Sequence, residues 1–170
     1  RDFDKSSEHL DIAFSTAKRL NKHVEAHLDQ CNLPSENETS KFCDFVKKYD
    51  YQGKARTVHS ISLSCQPLDK QEEVAAKLAD LDIGVIICPS AAISMKQSPE
   101  IYAPIHNSIA PLTVLLNANV NVGLGIDNIN DIFMPYCDGN LTFELRLLAE
   151  ATRTYDINIL EKIATNKLGW

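Results

Sequence analysis

Two hydrophobic periodicities alternate along this chain. Segments with apolar residues three or four positions apart predict amphipathic helices, and shorter runs that alternate in polarity or are continuously apolar predict strands. The helical spacing predicts helices over residues 6–20, 37–49, 69–81, 111–119, 140–153 and 157–166. The short runs predict strands over residues 22–28, 55–60, 84–88 and 121–126.

Polar residues and prolines set the expected ends of these elements. Ser35 or Asn37 is expected to cap the second helix and Asp69 the third, because these side chains accept hydrogen bonds from free helix amides. Residues 91–107 show no period and contain two prolines, which predicts a long loop.

The order of the predicted elements gives the fold class. One helix is followed by four strand–helix units and a final helix, and such alternation implies an α/β fold with parallel strands joined by crossover helices. No linker-like or low-complexity tract divides residues 1–170, so we expect a single domain. Two architectures fit. One is a small four-stranded α/β domain; the other is the parallel (βα)4 half of a TIM-type (β/α)8 barrel, with flanking helices at both ends.

Side-chain parity in the outer strands favours the half-barrel. In the first predicted strand His23, Glu25 and His27 share one face, and apolar residues occupy the other. In the last strand Gly125 and Asp127 share a face with other small or polar residues. We expect the polar or small set to point inward and the branched apolar set to pack against helices, because side chains alternate along a strand.

Composition narrows the class of partner. The chain has 170 residues, 44% apolar and 24% charged, with a formal net charge of −6. Its basic residues are scattered, which argues against nucleic acid, and no apolar run is long enough for a membrane span. Five cysteines without CxxC spacing predict reduced thiols in a cytoplasmic protein. A small-molecule substrate is the expected partner.

Three metal-capable side chains follow separate predicted strands. His27 ends the first strand, His59 the second and Asp127 the fourth. A lone histidine is more often structural, whereas a carboxylate after an apolar strand must be paired, metal-bound or close to water. Parallel strands end at one edge, so the three predict a hydrolytic site, with imidazoles suited to zinc or iron. Asp127 could hold the metal and take a proton, and His59 could stabilise charge at the attacked carbon.

With these motifs the chain resembles the metal-dependent amidohydrolases, and most closely their cytosine deaminase-like branch. The resemblance extends over nearly the whole chain, and the order and spacing of its pieces are more specific than any one piece. The matching segments are His27-Leu28-Asp29-Gln30 (His-x-Asp-Glu of barrel strand five), Val58-His59-Ser60 (Ser-His of strand six), Cys88-Pro89-Ser90 (strand seven), Ile109-Ala110-Pro111-Leu112, Gly125-Ile126-Asp127-Asn128 (strand eight) and Ala164-Thr165-Asn166-Lys167-Leu168-Gly169.

The resemblance implies roles for five residues. His27 and Asp127 would be metal ligands, His59 a catalytic or ligand histidine, and Asn128 a substrate neighbour. The complete enzyme would hold one zinc or iron ion, and metal-activated water would attack an sp² carbon of a cyclic amide, amidine or N-heterocycle. Gln30 stands where the family has a glutamate that shuttles protons. An amide cannot titrate, so Gln30 can act only by orienting the substrate, which disfavours strict cytosine deamination.

Parts of the family pattern are missing. The family carries a His-x-His pair on barrel strand one, and none occurs here; the loop histidine His106 is expected to be exposed. Ala92 replaces an asparagine and Ile132 a proline. By family order the chain comprises strands five to eight, so we expect it to be inactive alone. We also expect its bare sheet edges to be covered in a homo-oligomer or by a complementing N-terminal half-barrel.

Two further hypotheses stay open. The chain could be a catalytically silent half-barrel that serves as a binding or structural module. A flavodoxin-like nucleotide binder is disfavoured, because Gly123-Leu124-Gly125 lies inside a strand and no glycine-rich phosphate loop follows one.

Overall fold

The apolar segments form a parallel sheet with helices against it, in a computed structural model that describes residues 5–95, 108–166 and 168. The strands are β1 (Val24–Leu28), β2 (Ala55–His59), β3 (Gly84–Ile87) and β4 (Val122–Leu124). The helices are α1 (Ser6–Leu20), α2 (Glu38–Tyr49), α3 (Leu68–Asp80), α4 (Pro89–Ser94), α5 (Leu112–Asn117), α6 (Leu141–Thr152) and α7 (Ile157–Thr165), and a 3₁₀ turn spans Ser62–Cys65.

The four strands pair in the order of the sequence, and every pair is parallel. The register places His27 opposite Val58 and Ile86 opposite Gly123. A sheet that advances one strand at a time is the layout of barrel strands, whereas doubly wound domains reverse their strand order part-way. The predicted α/β fold of four parallel strands alternating with helices is confirmed.

One face of the sheet carries the main core. Val24, Val85 and Val122 are buried on this face. The largest helix side chains that are fully buried in the same core are Phe14, Phe42, Leu78, Leu112, Leu115, Leu148 and Ile163. Burying one such side chain contributes about 1.5–3 kcal/mol, so this apolar face is the one that attracts the helices.

The opposite face is polar at β1. Glu25 and His27 are exposed there, while Val24 and Leu28 on the other face are buried, as the parity of this strand predicts. Glu25 Oε2 lies 3.0 Å from Nε of Arg56 on the neighbouring strand. A smaller apolar cluster covers the carboxyl end of this face and consists of Val58, Cys88, Ala91 and Met134. This second face is therefore where polar chemistry can lie without disturbing the main core.

The C-terminal tail fills the amino end of this second face. Leu168 lies against Gly84 and Gly123, and a Cβ placed on Gly123 would come 2.8 Å from Leu168 Cδ1. Asn166 holds the tail in place, since its Nδ2 donates to the carbonyl of Val122 at 2.8 Å. The absence of a side chain at the two glycines is what lets the tail approach the strands so closely.

Several element ends differ from the prediction. β1 begins at Val24 and β4 ends at Leu124, so both strands are shorter than the sequence predicts. Pro89–Ser94 forms α4 where the sequence predicts a loop from residue 91, because six residues are too few to display a helical period. Residues 96–107 of that predicted loop, including His106, lie outside the described residues.

The start of α3 also differs from the prediction. Pro67 occupies the position before α3, so Asp69 lies in the first helical turn and is not the cap. All five cysteines are free thiols. None of the helices in the described parts of the chain combines the length and the apolar character needed to cross a membrane.

Candidate metal centre

The carboxyl ends of β1, β2 and β4 bring three side chains to one point. His27 Nδ1 lies 3.0 Å from His59 Nε2, and His59 Nε2 lies 3.4 Å from Asp127 Oδ2. The candidate ligand atoms of the three residues all lie within 4.8 Å of one another. Parallel strands direct their carboxyl ends to the same edge of a sheet, which is why residues so distant in sequence meet here.

The three side chains differ in their access to solvent. The His59 side chain is 2% exposed, whereas His27 is exposed. Asp127 is exposed as a residue, but its side chain is only 18% exposed, because the carboxylate turns toward the imidazoles. A partly hydrated carboxylate avoids the full cost of charge burial. The group is therefore open enough for an ion or a small molecule to approach.

Two of the three residues have a backbone conformation that L-amino acids rarely adopt. The φ angle is 79° at His59 and 70° at Asp127. Strict alternation along β2 would place His59 on the face of Thr57, which is fully buried; the left-handed residue instead turns its ring toward His27. Such a conformation costs about 1–3 kcal/mol and is concentrated at functional sites.

The donor set fits a divalent cation. Two imidazole nitrogens and one carboxylate oxygen are the ligands of many catalytic zinc sites and also suit iron. Ligands about 2.0–2.2 Å from a shared tetrahedral ion lie roughly 3.3–3.6 Å apart. The separations of 3.0 Å and 3.4 Å are close to that spacing. His27, His59 and Asp127 could therefore bind one ion together.

A cavity of about 440 Å³ adjoins this group. Gln30, His59, Asp127 and Asn128 line its polar part. The rest of the lining is Ile61, Ala91, Ser94, Met95, Phe133 and Met134. All the predicted site residues except His27 thus line one cavity, and His27 reaches it through its contact with His59. Ala92 is buried in the main core and is absent from this lining.

A carboxylate to which the sequence assigns no role organises the loop beside the cavity. Asp131 Oδ1 accepts hydrogen bonds from the amides of Phe133 at 2.9 Å and Met134 at 2.8 Å, and Oδ2 accepts one from Asn128 Nδ2. These bonds, led by that of Met134, lower the pKa of Asp131. Ile132, at the position where the resembling family has proline, is 88% exposed and does not line the cavity.

Asp29 is a second residue whose role the sequence does not reveal. It is 1% exposed, and its carboxylate accepts hydrogen bonds from the amides of Glu38 and Thr39 at the start of α2. Asn37 occupies the cap position but makes no side-chain cap hydrogen bond, so the prediction of Ser35 or Asn37 as the cap is wrong. Burial raises the pKa of Asp29, and the bonds from Thr39 and Glu38 act in the opposite direction.

Comparison with known sequences places the chain among larger proteins. No protein-family model matches it. An uncharacterized protein of Haemophilus influenzae is 29% identical over 110 residues, which cover 65% of this chain and 40% of that protein. The N-isopropylammelide isopropyl amidohydrolase of Pseudomonas sp. strain ADP is 21% identical over 162 residues, which cover 93% of this chain and 36% of that protein.

Solved structures give a stronger likeness. The 5-methylcytosine deaminase of Klebsiella pneumoniae, liganded with 5-fluorocytosine, superposes with a TM-score of 0.87 at 17% identity, over 96% of this chain and 40% of that one. The chain has the fold of a cytosine deaminase-like amidohydrolase. The N-isopropylammelide isopropylaminohydrolase of Burkholderia multivorans gives a TM-score of 0.71 at 17% identity, over 93% of this chain and 37% of that one.

These matches confirm the resemblance in fold and the half-barrel architecture. The chain spans 36% to 40% of the length of the relatives that it matches. Four parallel strands out of a barrel of eight account for that share. The predicted half-barrel is thus preferred over a self-contained four-stranded domain.

Proposed function

We propose that this chain carries part of the active site of a metal-dependent hydrolase that cleaves a non-peptide C–N bond in a cyclic amide, an amidine or an N-heterocycle. The observation that carries the proposal is the convergence of His27, His59 and Asp127 at the carboxyl edge of a parallel sheet. The fold supports it, because the named proteins of this fold are a deaminase and amidohydrolases.

His27 and Asp127 would hold the cation, zinc or iron, with His59 between them. When bound, such a cation supplies Lewis acidity and makes water nucleophilic near neutral pH. Asp127 Oδ2 accepts the proton of the attacking water, since it is the carboxylate at the cavity. The His59 ring, buried and fixed 3.4 Å from that oxygen, stabilises the negative charge that develops on the oxygen or nitrogen bonded to the attacked carbon.

Gln30 and Asn128 would bind the substrate. Both line the cavity beside Asp127. A carboxamide offers one acceptor and two donor hydrogens, so each can pair with the alternating carbonyl and amino groups of a nitrogen heterocycle. Gln30 cannot transfer a proton, so its catalytic contribution is orientation, and the proton of the leaving amine must come from Asp127 or His59.

The open polar face supports a second proposal, about the partner. Glu25 and His27 are exposed on it, and β1 and β4 are edges of the sheet. We propose that the complementing half of the barrel, or a second copy of this chain, covers this face and the two edges, because unpaired strand edges promote association. Sedimentation of the purified chain as a stable, well-folded monomer would contradict a second copy of the chain as the partner.

Metal binding tests the proposed function. Zn²⁺ titrated calorimetrically into the purified chain should bind once per chain, and His27→Ala and Asp127→Ala should each abolish that binding. His23→Ala is the matched control, because His23 lies at the amino end of β1, away from the site. Binding that survives both site substitutions, or that the control removes equally, would refute the site. If the wild-type chain itself binds no metal, the alternative of a catalytically silent binding module is favoured.

A further inference from the structure

Asp29 contacts two neighbouring segments, the start of α2 through its side chain and the turn after β2 through its backbone carbonyl. It lies two residues after His27 and is 1% exposed. Its Oδ1 accepts a hydrogen bond from the amide of Glu38 at 2.8 Å, and its Oδ2 accepts one from the amide of Thr39 at 2.9 Å. The carboxylate of Glu38 in turn accepts a hydrogen bond from the amide of Asp29 at 3.3 Å. The end of β1 is thereby fixed to the start of α2.

The backbone carbonyl of Asp29 makes a second set of contacts. It accepts hydrogen bonds from the amides of Ile61 at 2.8 Å and Ser62 at 3.1 Å. These amides come directly after His59 and Ser60, which have φ angles of 79° and 50°. Asp29 itself has a φ of 51°. The left-handed turn at His59 is therefore held from its downstream side by the residue that caps α2.

Buried hydroxyl groups also connect the start of α2 to the His59–Ser60 turn. Thr39, whose amide binds Asp29, donates through Oγ1 to Ser60 Oγ at 3.2 Å. Ser60 Oγ also lies 3.1 Å from Thr57 Oγ1. Thr39, Ser60 and Thr57 are at most 1% exposed. Buried hydrogen bonds of this kind fix geometry, because breaking one leaves a polar group without water.

We infer that Asp29 is a positioning residue, which holds the His59–Ser60 turn in the conformation that directs the His59 ring at His27 and Asp127. The same backbone carries Gln30, the next residue, to the cavity. The inference rests on the proposed function only in naming what the ring serves; the positioning itself is a property of the chain. Outer hydrogen bonds of this type orient ligand histidines in metal sites, and their loss reduces metal affinity about 10–100-fold.

Nuclear magnetic resonance of the metal-free chain tests the positioning directly. The ring Cε1–H signals of His27 and His59, assigned with His→Gln variants, would be recorded at one fixed pH in Asp29→Ala, Asp29→Asn and Thr39→Val. We expect both signals to move in Asp29→Ala and to move less in Asp29→Asn, which keeps one acceptor oxygen. They should also move in Thr39→Val, which keeps the backbone amides of the cap and removes the hydroxyl that bonds to Ser60 Oγ and to the Asp29 carboxylate. This third variant keeps the test decisive if Asp29→Ala does not fold.

Asp156→Ala is the matched control. Asp156 caps α7 by accepting from the amides of Asn158 and Ile159, so its loss removes an aspartate cap without contact to the site. If Asp29 had only a structural role, its substitution would lower the melting temperature as this control does and would leave the two histidine signals unchanged. That result, or equal signal changes in Asp156→Ala, would overturn the inference.

A zinc titration separates the inference from the proposed function. If the wild-type chain binds Zn²⁺, we expect Asp29→Asn and Thr39→Val to bind it at least 10-fold more weakly and Asp156→Ala to bind it normally. Normal affinity in the first two variants would contradict the positioning role. If the wild-type chain binds no Zn²⁺, the metal proposal fails for this chain, and the histidine signals alone decide the role of Asp29.

Discussion

Adding one methyl group at Gly125 is expected to strain both the sheet and the site beyond it. A Cβ at this position would lie 2.7 Å from Ile86 Cγ2 and 2.8 Å from Cys88 Sγ. Carbon atoms in contact normally lie about 3.5–4.0 Å apart. Both obstacles are attached next to the backbone of β3 and its end, so neither can swing aside as the tip of a long side chain can.

The magnitude follows from two opposing terms. Overpacking of this kind costs about 1–3 kcal/mol. Replacing glycine by alanine also reduces the conformational entropy of the unfolded chain, which stabilises the folded protein by about 0.4–1 kcal/mol. Taking the middle of each range, about 2 and about 0.7 kcal/mol, we expect Gly125→Ala to lower the free energy of unfolding by about 1–2 kcal/mol. For a chain of this length that is a fall in melting temperature of roughly 2–8 °C.

Gly123→Ala is the matched comparison, because the residue type, the substitution and the face of the sheet are the same. Its new Cβ would meet Leu168 Cδ1 at 2.8 Å, and Leu168 belongs to the C-terminal tail. The end of a leucine side chain can rotate away, so we expect a change of less than about 0.5 kcal/mol. Urea unfolding followed by circular dichroism would measure both variants.

Either of two results would contradict this account of Gly125. If Gly125→Ala is as stable as the wild type, or if Gly123→Ala loses as much, then the close approach of β3 at Gly125 is not what requires glycine there. Restoration of stability in the double variant Gly125→Ala/Cys88→Ala would identify the thiol as the main obstacle.

Three further expectations can be measured on the same chain. The Phe14 ring is fully buried, and its centre lies 5.1 Å from that of Phe42. Phe14→Ala leaves a cavity there and should lower the free energy of unfolding, measured in urea, by about 3–5 kcal/mol. Burial raises the pKa of Cys43 to about 12, so mass spectrometry should find Cys43 unmodified by iodoacetamide at neutral pH in folded protein and modified in urea. The hydrogen bonds that lower the pKa of Asp131 stabilise its charged form, so the stability difference between wild type and Asp131→Ala should persist above pH 3.8 and shrink as the pH falls through the lowered value.

Several features of the site could be predicted because they follow from local pattern and one topological rule. The apolar runs mark the strands, and the helical periods between them require crossovers that keep the strands parallel. The carboxyl ends of parallel strands meet at one end of the sheet, so the topology predicts that His27, His59 and Asp127 lie at the same end, as they do. The side-chain parity of β1 also correctly separated the polar face of Glu25 from the buried face of Val24.

Other features of the site cannot be predicted from any local sequence pattern. Asp29 caps a helix that begins nine residues later, and no short motif connects a carboxylate to amides at that distance. The left-handed backbone of His59 is stabilised by bonds to Asp29 and Ser60 that exist only once β1, β2 and α2 have packed together. Propensity alone opposes that conformation, since it is costly for a residue with a Cβ.

The amino-acid sequence by itself determined the class of fold, which face of each outer strand is polar, and which side chains stand at the strand ends. These features depend only on periodicity and on the residue that follows each apolar run. Only the tertiary structure decided that the His59 ring turns 3.0 Å from His27 instead of joining Thr57 on the buried face. The physical reason is that hydrogen bonds between distant segments outweigh the local preference of a single residue.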